Sequence, residues 1–229
     1  MSQALRIGLA GLGTVGAAVF RLLSEKAELV EARTGRPVVV TGVSARSRDK
    51  DRGIDLSTVA WYDDPVALAT ADDVDVFVEL MGGDGDPARA AVRAALSAGK
   101  PVVTANKALL AAHGVELAVL AEENDATIGY EAAVAGAIPI IKTLREAAAG
   151  NRVSRVYGIL NGTCNYILTE MEEKGLSFED CLAEAQRLGY AEADPTFDVE
   201  GNDSAHKLAI LSALAFGTRI DTDSIHLEG

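Results

Sequence analysis

Leu5-Arg6-Ile7-Gly8-Leu9-Ala10-Gly11-Leu12-Gly13-Thr14-Val15-Gly16 is the stretch that decides the fold. A short apolar run leads straight into a Gly-x-Gly-x-x-Gly turn, and a helical pattern follows from Val15 to about Arg33. Such a triplet can arise by chance in a chain with 22 glycines. The strand before it and the helix after it are what give it meaning. The first glycine allows the tight turn, the second lets a pyrophosphate approach the backbone, and the third lets helix and strand pack closely. The N-terminus of the following helix favours negative charge. Gly11, Gly13, Thr14, Val15 and Gly16 are therefore expected to cradle a dinucleotide.

Outward from that turn, strand and helix patterns alternate. Gly35 should stop the first helical stretch as a C-terminal cap. Residues 37–44 carry Val38, Val39, Val40 and Val43 between turn formers and read as a buried strand. Residues 74–81 and 101–104 read as further strands, with helices near 87–98 and 107–122. Strands alternating with helices of this length imply an α/β fold: a Rossmann-type, doubly wound parallel sheet covered on both faces. The texture changes after Thr127. There a helix is expected over 138–149, a strand over 153–160, and helices over 165–173 and from Ser177 to Leu188. Ser177 with Asp180 makes a start resembling a capping box. The expected division is a dinucleotide-binding domain over 1–130, then an α+β substrate and dimerisation domain over 131–229.

Composition excludes more than it selects. With 229 residues, 48% of them hydrophobic, the chain can bury a sizeable core. Its 21 basic and 34 acidic residues leave a formal charge of −13, which argues against nucleic acid or an anionic membrane surface as partner. The acidic pairs Asp63-Asp64 and Asp72-Asp73 suggest a host with a salty cytoplasm. Apolar runs such as 208–216 fall far short of the roughly 20 residues needed to span a bilayer. Met1 runs into a strand without a basic n-region, so no signal peptide is expected, and a cytoplasmic location follows. Cys164 and Cys181 are too far apart for a Cys-x-x-Cys site and read as structural thiols.

Three places carry candidate chemistry. Cofactor choice is read at the end of the second strand, where an NAD-selective site usually has a carboxylate. Here Ser44-Ala45-Arg46-Ser47-Arg48 offers none. Arg46 and Arg48 could pair with a 2′-phosphate, which favours NADP with NAD as the alternative; otherwise they form a basic loop tip in solvent. Other strand ends carry Glu79-Leu80-Met81-Gly82-Gly83 and Thr104-Ala105-Asn106-Lys107. Lys107 at a helix start opposes the macrodipole, which an anionic substrate group would justify. The third place is 185–207, where Glu192, Asp194, Asp198 and Asp203 crowd a loop broken by Gly189, Pro195 and Gly201. Asp203 and Lys207 share one helix face at i,i+4, as an ordinary surface pair or as a proton-transfer site.

The late loop resembles the signature of the homoserine dehydrogenases: Ala185, Gly189, Asp194, Pro195, Asp198, Val199, Gly201, Asp203 and Lys207 match it. Thr104-Ala105-Asn106-Lys107, Tyr130-Glu131-Ala132-Ala133-Val134 and Gly158-Ile159-Leu160-Asn161-Gly162-Thr163-Cys164-Asn165-Tyr166 are similar to further blocks of that family. The resemblance implies reversible oxidation of L-homoserine to L-aspartate 4-semialdehyde with NADP or NAD, on the route to threonine, methionine and isoleucine. Lys207 would be the proton donor and acceptor, and Asp203 would orient it. Glu192 and Asp198 would hold the substrate, and Lys107 would face its carboxylate or the nicotinamide. Asn106 and Gly162 would join the cofactor contacts. Glu131 with the carbonyls of Val134, Gly136 and Ile138 would cage a monovalent cation such as sodium. His206 reads as structural, because adjacent helix residues face different ways. Family members generally continue well past Gly229, so a truncated substrate domain is expected, with a homodimer if the chain is complete. The competing readings are an NADP-binding module without turnover and a dehydrogenase for another small amino-acid aldehyde.

Overall fold

The structure, a computed structural model, describes residues 3–229. The described residues divide into two compact units, 3–138 and 139–229. In the first, β1 (Leu5–Ala10) leads through the glycine turn into α1 (Thr14–Glu25), and α2 (Ala27–Thr34) and β2 (Val38–Ser44) follow. Then come β3 (Ala60–Tyr62), α3 (Pro65–Thr70), β4 (Val76–Glu79), α4 (Ala88–Ser97), β5 (Val102–Thr104), α5 (Lys107–Glu123) and β6 (Ile128–Gly129). All strand pairs are parallel, in the order β3-β2-β1-β4-β5-β6. This is the doubly wound order, with its switch point between β1 and β4.

Parallel strands are buried on both faces, and the apolar runs reflect it. One face carries Phe77, Val92, Leu96, Leu109 and Leu117. Leu9, Leu12, Phe20 and Val43 form a separate cluster. Phe77, Leu9 and Leu109 are fully buried, each contributing about 1.5–3 kcal/mol of transfer free energy. The single expected helix after the glycine turn is two helices, separated at Lys26 (φ −112°, ψ 23°). The second buries no residue, so no core holds it in line with α1. Gly35 caps it in the left-handed region. Three short elements, β3, α3 and β6, escaped the sequence pattern because three, six and two residues carry little periodicity.

The second unit comprises α6 (Ile140–Lys142), which widens into a π-turn over Thr143–Ala147, then α7 (Gly162–Lys174), α8 (Phe178–Leu188), α9 (Thr196–Val199) and α10 (Asn202–Phe216). Ile167, Cys181, Ala185 and Ala191 form the core where α7 meets α8. Gly175, Gly189 and Gly217 end α7, α8 and α10 in the left-handed conformation, as C-terminal caps do. The expected strand over 153–160 is not formed, and with it goes the expected β component of this unit. Tyr157 and Ile159 are 89% and 77% exposed. A strand needs a neighbouring edge to satisfy its ladder; no strand forms among the described residues after 138.

Candidate functional site

The glycine turn sits at the switch point, and its three glycines have three different surroundings. Gly11 adopts φ +95°, and a Cβ there would lie 2.4 Å from the Leu80 carbonyl oxygen. At Gly16 a Cβ would lie 1.8 Å from the Gly11 carbonyl oxygen, so helix and turn touch backbone to backbone. At Gly13 a Cβ would meet nothing within 4 Å. Gly13, Thr14 and Val15 are exposed, and α1 starts without a side-chain cap. The N–H groups of its first turn therefore have no side-chain partner from the cap.

Arg46 and Arg48 lie exposed beyond β2. A residue the sequence reading did not single out organises this loop. Arg52 donates to the carbonyls of Leu12, Lys50 and Ser47, and with Arg48 its guanidinium lies over the Trp61 ring. It thereby ties the arginine loop to the glycine turn; its only sequence signal was one more basic residue in a polar loop. At the ends of β4 and β5, Glu79 is fully buried. It accepts from the backbone N–H groups of Met81 and Gly82 and from the Thr104 hydroxyl. The Asn106 amide donates to the Gly83 carbonyl, and its oxygen caps α5 at Leu109. Lys107 is the first residue of α5.

In the second unit a cleft of about 510 Å³ is lined by Asn161, Tyr166, Tyr190, Asp198, Asp203 and Lys207, with Gly162, Thr163 and Gly189 between them. Lys207 Nζ donates to Asp203 Oδ2 at 2.6 Å and to the Leu160 carbonyl at 2.7 Å. Gly201, left-handed at φ +77°, starts α10, so Asp203 falls in its first turn, where a carboxylate complements the dipole. One turn later Lys207 stands on the same face. Asp198 on α9 and Asp203 on α10 both accept from the Asn161 amide. The Cys164 thiol donates to the Asp198 carbonyl, and burial, with Asp198 and Asp203 nearby, pushes its pKa up. It is a structural thiol rather than a nucleophile.

The structure thus brings Lys207, Asp203, Asp198 and Gly162 together. Glu192 is exposed, two residues beyond Tyr190, and is not among the residues lining this cleft. Asp194 accepts from the Thr196 backbone at the start of α9, and hydrogen bonding from Thr196 holds its carboxyl below the usual range. His206 packs edge-on against Phe197. Asn161, at the centre of the cluster, lies within the block 158–166, and nothing local to that block sets it apart. Glu131 begins a short 3₁₀ turn, Glu131–Ala133. Ala135 and Ala137, among the carbonyl-bearing residues after it, take φ +51° and +70°. Left-handed alanines cost on the order of 1 kcal/mol each and persist only where surroundings over-determine them.

A parallel sheet in this order, with an open glycine turn at its switch point, defines a dinucleotide-binding protein of the Rossmann class. Residues 11–131 match the model of the homoserine dehydrogenase NAD binding domain, and residues 139–229 match the homoserine dehydrogenase model. A homoserine dehydrogenase of Neisseria gonorrhoeae is 52% identical over 98% of this chain and 51% of its own length. The solved homoserine dehydrogenase of Thiobacillus denitrificans superposes with a TM-score of 0.93 at 46% identity, covering 99% of this chain and 52% of that one. A hyperthermophilic archaeal homoserine dehydrogenase, solved with NADPH, gives 0.81 at 30% identity over 95% of this chain and 71% of its own. The chain belongs to the homoserine dehydrogenase family. It spans about half the length of the curated relatives it matches. Among the described residues, no helix is long and apolar enough to cross a membrane.

Proposed function

We propose that this chain carries out the NADP-dependent interconversion of L-homoserine and L-aspartate 4-semialdehyde, with NAD as a poorer substitute. The observation that carries the reading is the Asp203–Lys207 pair, held in the wall of a cleft by Asn161 and the Leu160 carbonyl. The nicotinamide, when bound, supplies or removes the hydride. Gly13, open to approach, and the uncapped start of α1 suit its pyrophosphate. Arg46 and Arg48 suit a 2′-phosphate.

A lysine ammonium has three N–H donors. Asp203 and the Leu160 carbonyl take two of those on Lys207, which leaves the third for a substrate oxygen. In the reducing direction Lys207 donates a proton to the aldehyde oxygen as that atom gains charge; in the oxidising direction it accepts the hydroxyl proton. Asp203 fixes the ammonium's direction. Asp198, on the same cleft wall, offers a carboxylate to the substrate's own ammonium. Glu192, on its exposed loop, would join it when substrate is bound. A carboxylate at Glu131 with the carbonyls of Val134, Gly136 and Ile138 is an oxygen-only donor set, suited to a hard cation such as sodium.

The test is oxidation of NADPH by the purified protein with aspartate 4-semialdehyde. Lys207→Ala should lower kcat by about 10²–10⁴-fold, the range for a lost general acid–base group, with the NADPH dissociation constant unchanged. Tight NADPH binding by the wild type without turnover would overturn the enzyme reading and leave a nucleotide-binding module. Full activity of Lys207→Ala would overturn the assigned role.

A further inference from the structure

We propose that Asn161 is a positioning residue: its amide sets the two carboxylates beside Lys207 and, through one of them, the direction of the ammonium. This rests on the reading of Lys207 given above and deepens it. Asn161 Nδ2 donates to Asp198 Oδ1 at 2.7 Å and to Asp203 Oδ2 at 2.9 Å, so both of its hydrogens are committed to carboxylates. Its Oδ1 accepts from the Cys164 backbone N–H at 2.8 Å and caps α7. The amide therefore has one orientation. Turned over, it would set an oxygen against two carboxylates and an NH₂ against a backbone donor.

The same Asp203 Oδ2 that accepts from Asn161 also accepts from Lys207, and the neighbouring Leu160 carbonyl is the lysine's other partner. Two consecutive residues at the start of α7 thus fix the ammonium from two sides. Asn161 is 8% exposed and Asp203 5%, so water cannot readily replace the amide. Residue type follows from this geometry. Capping alone would be satisfied by serine, threonine or aspartate. An acceptor for the cap together with two donors for separate carboxylates requires a short primary amide, and only asparagine supplies it at that length.

The test compares Asn161→Ser and Asn161→Asp, both of which retain a capping oxygen. Each should lower kcat by about 10²-fold, the usual cost of misplacing a catalytic group by an ångström. The NADPH dissociation constant should stay within about twofold. The cap survives in both, but each strands a buried carboxylate, so the melting temperature should fall by several degrees, further in Asn161→Asp, where a third carboxylate faces the other two. A merely structural asparagine would show that lower melting temperature with kcat of the folded variant retained. Either variant, folded and with kcat within about threefold of wild type, overturns the proposal.

A second readout does not need turnover. In ¹⁵N–¹H spectra of the wild type, both Asn161 side-chain protons should exchange slowly. One should move in Asp198→Asn and the other in Asp203→Asn. Slow, separately responding protons support the positioning role even where the wild type proves inactive, an outcome that would refute the assigned reaction alone. Rapidly exchanging protons, indifferent to both variants, overturn it.

Discussion

Gly13→Ala and Gly16→Ala separate cofactor contact from fold, although the two glycines are three residues apart. At Gly13 the backbone is extended (φ −75°, ψ −161°), which alanine adopts freely, and an added methyl meets nothing within 4 Å. Alanine is a weaker N-cap than glycine, but it lowers the entropy of the unfolded chain by a similar amount, so the stability change should be within about 0.5 kcal/mol. A pyrophosphate packed against that backbone would meet the methyl instead. Overpacking of this kind costs about 1–3 kcal/mol, which weakens binding roughly 5- to 150-fold. At Gly16 the methyl would stand 1.8 Å from the Gly11 carbonyl oxygen, backbone against backbone. Helix and turn must then separate by more than an ångström, at about 3 kcal/mol or more out of a total stability of about 5–15 kcal/mol. Thermal denaturation and NADPH titration should show Gly13→Ala melting like wild type with poor binding, and Gly16→Ala melting well below it. Wild-type affinity in Gly13→Ala would refute the assignment of that glycine to the pyrophosphate.

Three further outcomes are expected. Arg46→Ala with Arg48→Ala should weaken NADPH binding by at least about tenfold, the worth of a charge-assisted hydrogen bond, and leave NADH unchanged; equal losses for both cofactors would dismiss the 2′-phosphate contact. The Arg6 side chain donates to Asp75 at 2.6 and 3.1 Å and holds its carboxyl below the usual carboxylate range. The folded form therefore favours the ionised Asp75. Stability from this pair is full above the ordinary aspartate pKa and is lost as pH falls through the lowered one, so Arg6→Gln should flatten the acid side of a melting-temperature profile. With a formal charge of −13, the melting temperature should fall as salt is dialysed away, because self-repulsion is then unscreened; constancy between low and molar salt would exclude this.

The sheet was legible because its strands are apolar runs ending in turns, and because one motif fixes topology as well as chemistry. β1, the glycine turn and α1 lie where the pattern placed them, and the left-handed caps at Gly35, Gly175 and Gly189 follow from glycine itself. The failures share a cause. The break at Lys26, the π-turn over Thr143–Ala147 and the unpaired stretch 153–160 each depend on what packs beside them, and local propensity contains no record of neighbours. Residues 153–160 have the composition of a strand; composition without an adjacent edge does not make one.

Within the polar cluster the same distinction decides which residues could be read. Asp203 and Lys207 were visible because their partnership is local, four residues apart on one helix. Asn161 is 42 residues from Asp203, and Leu160 is 47 from Lys207, so only tertiary structure unites them. The sequence pattern starts this helix only at residue 165, yet Asn161 caps it from 162, through its oxygen. The nitrogen of the same amide does the second job, and nothing local demands it. An N-cap brings a polar side chain to a helix start at a fixed angle. Where that start also faces the first turn of another helix bearing a carboxylate, the cap's unused donors can organise the carboxylate without a further residue. The position then tolerates fewer residue types than capping allows, which is why Asn161→Ser and Asn161→Asp, conservative as caps, should be severe as catalysts.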